Sequence, residues 1–274
     1  MNILGAGLLL TLVAMPARAI TWDVQADFSL QANGAGAWTY GYLAPGNDPS
    51  SFRPFSDVQI GGDGYVNQSA WVLNGDYPRV TVNTGGDRID GTVWFHAGAV
   101  SLHPGRSGEA AVIRWTAPQD VAALFLDSAF MGLDFTTTDV HVALNGLDIF
   151  SGDILPRPGT RWGDEERFAP APFAVSAGDT IDFRVGYLDA FLNGGLNNDT
   201  TGLRAVLSDE PGHPVEKIDP APFYPEIRVP APGLPWPRGG GGDPAPVPLP
   251  GSLALLAGAV LALAAVRRRF GIAG

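Results

Sequence analysis

The chain has 274 residues, 45% of them hydrophobic and 16% charged, with 36 Gly, 24 Pro and no Cys. Gly and Pro at that density exclude a mainly helical protein, because both disfavour helix interiors, and the apolar content excludes a wholly disordered one. Without cysteine there is no disulfide scaffold, thiol catalysis, iron–sulfur cluster or Cys-ligated zinc, and a net charge of −11 argues against nucleic acid, whose phosphates call for clustered Lys and Arg.

Residues 3–15 are apolar and lead into Pro16-Ala17-Arg18-Ala19. A short apolar run before an Ala-x-Ala site reads as a secretory signal peptide, residues 1–19, helical before its removal. It is too short for a comfortable membrane span. No basic residue precedes the run, which departs from the usual pattern.

Residues 20–209 form the body, where apolar side chains recur with a period of two. The alternating runs are 79–83 (RVTVN), 111–116 (AVIRWT), 139–144 (DVHVAL) and 180–185 (TIDFRV). Such alternation puts apolar groups on one strand face and polar groups on the other. Asn145-Gly146 separates 140–144 from 147–150 and predicts a tight hairpin, since both residues accept positive φ. Further turns are expected at Asn74-Gly75, Asp90-Gly91, Gly105-Arg106-Ser107-Gly108 and Ala177-Gly178-Asp179. No run has a 3.6-residue period with caps. Many short strands between turns predict an all-β fold, a jelly-roll-like β-sandwich with long loops.

Site chemistry is thin by comparison. Trp38, Tyr40 and Tyr42 share one strand face beside Gly36, Gly41 and Gly46, and Trp162 lies in a charged loop. Exposed rings of this kind stack on the C–H faces of sugars while polar neighbours read the hydroxyls, so these four are candidate ligand contacts; core or edge packing is the competing reading. Trp115 is in phase with Ala111 and Ile113 and is assigned to the core. The histidines are His96, His103, His141 and His213, none at a close metal-ligand spacing. His141 belongs to a polar strand face, solvated by default. His103 runs into Pro104-Gly105, a strand end of the kind that faces a cleft, and joins the ligand candidates. Asn197, Asn198 and Asp199 gather oxygen donors in a Gly-rich loop. They suit a structural calcium ion, or equally an Asx-turn network capping the next strand. No G-x-S-x-G elbow is present, and no catalytic residue is assigned.

One ordered series of segments resembles a module of secreted bacterial proteins. It runs Leu102-His103-Pro104-Gly105, Val112-Ile113-Arg114-Trp115-Thr116-Ala117-Pro118, Thr138-Asp139-Val140-His141-Val142, Asn145-Gly146, Ala177-Gly178-Asp179-Thr180 and Asp199-Thr200-Thr201-Gly202-Leu203. The module is similar to galactose-binding-like and carbohydrate-binding jelly rolls. That resemblance implies non-catalytic glycan binding; fold alone does not establish it.

Residues 210–246 are a Pro/Gly-rich linker, extended and unable to form a core. Residues 247–274 bring Val247-Pro248-Leu249-Pro250, an uncharged Ala/Leu-rich run over 251–266, and Arg267, Arg268 and Arg269. The run is a marginal membrane helix, and the arginines favour the cytoplasmic side. This order resembles the PEP-CTERM family of sorting signals in its VPLPA-type variant, with Gly251 where that variant has Ala. The resemblance implies an exosortase-type membrane protease or transpeptidase as partner. It also implies a transient inner-membrane anchor and a cell-surface or extracellular destination. The 17 basic residues less Arg18 and these three leave 13 against 28 acids, a net −15 for the region between the two signals. The expectation is therefore an exported module that binds extracellular polysaccharide without changing it. A self-associating surface or biofilm protein is the alternative, and a secreted glycan hydrolase or lyase a third.

Overall fold

Each of the four alternating runs is a strand, and the apolar phase of each faces a shared core. In the computed structural model the described residues are 19–61, 68–90, 93–97, 100–134, 136–156, 165–188 and 199–215. All belong to one unit, Met1–Ile227; a second unit, Arg228–Gly274, lies outside them, as do residues 1–18 of the expected signal peptide and the sorting tail.

In the first half of the body the strands are Thr21–Asp23 (β1), Trp38–Leu43 (β2), Arg53–Pro54 (β3), Asp57–Ile60 (β4), Gln68–Leu73 (β5), Asp76–Asn83 (β6), Arg88–Asp90 (β7), Val93–Phe95 (β8) and Val100–His103 (β9). Then come Ala110–Thr116 (β10), Val121–Gly132 (β11), Thr138–Leu144 (β12), Leu147–Ile154 (β13), Glu165–Phe168 (β14), Phe173–Val175 (β15), Thr180–Tyr187 (β16) and Thr201–Ser208 (β17). Among the described residues the one helical turn is a 3₁₀ turn, Pro49–Ser51, capped by the Asp48 side chain.

Nine strands form one sheet, ordered β14-β11-β17-β9-β6-β5-β4, with β1 added on β17 and β15 on β11; six form the other, ordered β13-β12-β16-β10-β2-β3. The pairings are antiparallel, and neighbours distant in sequence join by crossovers. The described residues form an all-β sandwich, as the patterning predicts. The two expected Asn-Gly hairpins are present, with φ of 51° and 77° at Asn74 and Gly75 and 50° and 83° at Asn145 and Gly146. Positive φ at both central residues matches the right-handed twist of the flanking strands.

Between the sheets lies one apolar core. It draws Tyr40, Ile113, Trp115, Ile181, Phe183 and Val185 from the six-stranded sheet and Val80, Leu102, Leu124, Phe130, Leu203 and Leu207 from the other. Trp115 is fully buried and meets Trp22 edge-on at 5.1 Å. A separate hairpin, β7–β8, lies on the outer side of the nine-stranded sheet, where Trp94 joins Met131 and Leu133 and its amide donates to the Leu133 carbonyl at 2.8 Å. Among the described residues no helix is long and apolar enough to cross a membrane.

Candidate functional site

The site lies at one end of the sandwich, where β6 starts, β9 and β16 finish, and β17 begins. β16 carries Ile181, Phe183 and Val185 into the core, and continuing that phase puts Tyr187 at the last inward position, half-buried, where the core gives way to loops. Its hydroxyl is buried and has no hydrogen-bond partner in the protein. Burial pushes the phenol above its ordinary value, and the Asp199 carboxylate adds to that rise; Arg106 pulls it down, while Glu109 and Tyr77 push it up. The phenol therefore stays protonated, a donor and acceptor at once.

Tyr77 lies on the β6 side of the same end. Its ring lies 4.0 Å from that of His103, with the Arg79 and Arg106 guanidiniums 5.0 and 5.5 Å from its centre. Arg79 and His103 are direct cross-strand partners on β6 and β9, so sheet register creates the histidine–tyrosine contact. His103 Nδ1 lies 2.8 Å from the Pro104 carbonyl, which can only accept, so that nitrogen carries the proton. The 104–109 turn closes on itself: the Gly105 amide donates to the Glu109 carbonyl at 2.7 Å, and the Ser107 amide to the Glu109 carboxylate at 2.9 Å. Arg106 projects from that turn and pairs with Asp76 at 3.0 Å.

Asp199 completes the group. It is fully buried and accepts a bond from the Thr137 hydroxyl at 3.4 Å. Next to it, Thr136 donates to the Thr200 carbonyl at 2.9 Å, and the Thr138 and Thr201 hydroxyls meet at 2.8 Å. A row of threonines thus holds the start of β17 and fixes the carboxylate. Together the end gathers two phenols, three carboxylates, two guanidiniums and an imidazole. That mixture suits a ligand carrying many hydroxyls, each able to give and accept a hydrogen bond.

Of the residues singled out in the sequence, His103 and Asp199 are brought to this end. Trp38 and Tyr40 are not: they retain 4% and 1% exposure and pack into the core. Trp38 donates its indole N–H to Asp27 at 3.2 Å, and Tyr40 stacks on Trp71 at 6.5 Å. The alternation that suggested a stacking face is the alternation of a core strand, and the rings have no free face for a sugar. Tyr42, at the same strand's rim, stacks on Phe55 at 5.6 Å. His141 is also not simply solvated, because Asp148 and Asp139 hold it at 2.9 and 3.1 Å. Trp162, Asn197 and Asn198 lie outside the described residues, as do Val247, Pro248, Leu249, Pro250, Arg267, Arg268 and Arg269. Among the described residues no group of three or more His, Cys, Asp or Glu is arranged to hold a metal ion.

Tyr77, Arg79, Arg106, Glu109 and Tyr187 do not stand out in the sequence. For Tyr187 a signal exists: it continues the 181-183-185 phase by one step to the end of the strand. Nothing local marks the others, which meet only through register and the 104–109 turn.

No family model matches the sequence, and no curated protein matches it. Among solved structures, CBM35 from Paenibacillus barcinonensis is 12% identical over 68% of this chain and 97% of that one, with a TM-score of 0.30. CBM51 from Clostridium perfringens GH95, in complex with methyl-galactose, is 13% identical over 57% and 94%, with a TM-score of 0.28. The catalytic domain of a GH87 alpha-1,3-glucanase in complex with tetrasaccharides is 13% identical over 74% of this chain but 30% of its own, with a TM-score of 0.28. At such scores the likeness is loose and says nothing of the site.

Proposed function

We propose that this protein is an exported, non-catalytic module that binds extracellular polysaccharide at the Tyr187 end of its sandwich. An exosortase-type membrane partner sorts it through residues 247–269. The observation that carries the binding reading is the Tyr187 hydroxyl, buried and without a protein partner, among Tyr77, Arg106, Glu109 and Asp199. A buried hydroxyl left unpaired costs free energy that a ligand hydroxyl at that point recovers. Export and sorting rest on the sequence of the two ends. The test is retention of the purified full chain on immobilised polysaccharides, with calcium and with chelator. Retention on one polysaccharide class, weakened on Tyr187→Phe, is expected; loss on chelation as well would add a calcium ion at the Asp199 loop. No retention under any condition overturns the reading.

A second reading, self-association at the surface, has its own observation. The sheet-edge strands β4 and β13 expose Ile60 and Leu147 at 78% and 75%. Exposed apolar edges are templates for pairing with another chain, and concentration-dependent sedimentation with no glycan effect would favour it.

A further inference from the structure

The outer side of the six-stranded sheet carries a second polar cluster. Register sets it out in rows: Thr39, Arg114, Asp182, Ala143 and Asp148 lie side by side across five strands, and Gly41, Val112, Arg184, His141 and Ser151 form the next row. Arg114 and Asp182 satisfy each other through two bonds, of 2.6 and 2.8 Å, with the guanidinium over the Phe52 ring at 3.9 Å. Arg184 pairs with Asp148, which also holds His141.

Apart from the Arg184 Nη2 that ion-pairs with Asp148, three atoms in this cluster have no hydrogen-bond partner. Arg184 is only 4% exposed, yet its Nε has no partner in the protein, and neither do Asn47 Oδ1 and Asp139 Oδ1. Asp139 and Asn47 meet because position 186 is glycine: a Cβ there would come within 2.5 Å of Asp139 Oδ1 and 3.4 Å of Asn47 Nδ2; Arg184, two residues earlier on the same face of β16, is the diagonal neighbour of Asp139 across the strands. Asn47 arrives from the 44–52 loop, whose hydrogen bonds close on the loop itself. Ser50 and Ser51 bond Asp48, and the Ala44 amide bonds the Ser51 hydroxyl. The side chains of His141 and Asp148, 21% and 43% exposed, open the cluster to solvent along its flank.

One buried donor and two buried acceptors define the chemistry of what fits. A carboxylate or phosphate has no proton for Asp139 or Asn47 and would face both. A cation would face Arg184. A hydroxyl accepts from Arg184 Nε and donates to Asp139, and a neighbouring hydroxyl donates to Asn47. We infer that Asn47, Asp139 and Arg184 form a second binding site, beneath the 44–52 loop, for a neutral vicinal diol such as that of a sugar ring. The inference is independent of the Tyr187 site and concerns different strands and loops.

The experiment is a titration of the full chain carrying Tyr187→Phe with methyl mannoside and methyl glucoside, followed by saturation-transfer NMR. Saturable binding is expected in this background. Asn47→Gly and Asp139→Asn should each weaken it tenfold or more, with Gly186→Ala blocking it. Asn47→Gly removes only a loop side chain and accepts the φ of 56° at that position, so it stays informative should Asp139→Asn fail to fold. No saturable binding, binding indifferent to both variants, or a crystal soak with a bound water only between the three side chains would overturn the inference. Polysaccharide retention that fails while this titration succeeds would discard the Tyr187 reading and keep this one; the converse would do the opposite.

Discussion

Tyr187 pairs a ring that fits the core with a hydroxyl that burial separates from water. Deleting an unpaired buried hydroxyl removes a desolvation cost, whereas deleting a paired one loses a bond. Tyr187→Phe should therefore leave thermal stability unchanged or raise it by up to about 1 kcal/mol, while polysaccharide retention falls. A destabilised variant would mean that the hydroxyl has a structural partner. Asp179 shows the opposite economy. It accepts bonds from the Ser176 amide at 2.7 Å and the Asn145 side chain at 3.0 Å, and these hold its carboxyl below the ordinary 3.8. A carboxyl depressed on folding stabilises the native state above its unfolded value and loses that contribution as pH falls through the folded one. Wild type should thus melt above Asp179→Asn near neutral pH. The gap should close as melting curves are taken progressively below 3.8.

At the scale of elements, β10 and β16 are held by backbone pairing and also by the Arg114–Asp182 fork across the strands. Asp182 is nearly fully buried, and removing it leaves a guanidinium over Phe52 with no counter-charge. Breaking one partner of such a pair costs more than the pair contributes, because an uncompensated charge remains. Asp182→Ala should cost about 3 kcal/mol in chemical denaturation, and replacing both residues with apolar ones of similar volume should cost less. The two Asn-Gly hairpins join adjacent strands by local chemistry, and their positions are legible in the sequence for that reason. Pairing of β17 with β9 and β11 is not legible: strands far apart in the chain meet there, and no turn residue specifies the register.

Across the whole molecule, the sandwich depends on one core whose largest fully buried rings include Trp115 and Tyr40. Trp115→Ala should cost about 3–5 kcal/mol, since the surrounding sheets cannot collapse into the space, and a urea midpoint shift would measure it. The sheet edges are the other whole-molecule feature. Replacing Ile60 and Leu147 together by lysine touches only exposed side chains and should change folding stability by less than about 0.5 kcal/mol. If edge pairing between copies occurs, the same double variant should sediment as a monomer at concentrations where wild type associates.

The all-β class, the inward phase of β6, β10, β12 and β16, the core position of Trp115 and the Asn-Gly turns were all determined by the sequence alone. The physical reason is that each rests on local rules: side chains alternate along a strand, and only certain residues accept positive φ. The same rules are blind to which face of an aromatic strand is covered, so the alternation of Trp38, Tyr40 and Tyr42 fits a core strand as well as a binding face. Only tertiary structure buried the first two. It also brought Tyr187, Tyr77, His103 and Asp199 to one end, and Asn47, Asp139 and Arg184 under one loop. These groups come from strands and loops far apart in the chain, and their convergence depends on sheet order and register, which no short run of residues encodes.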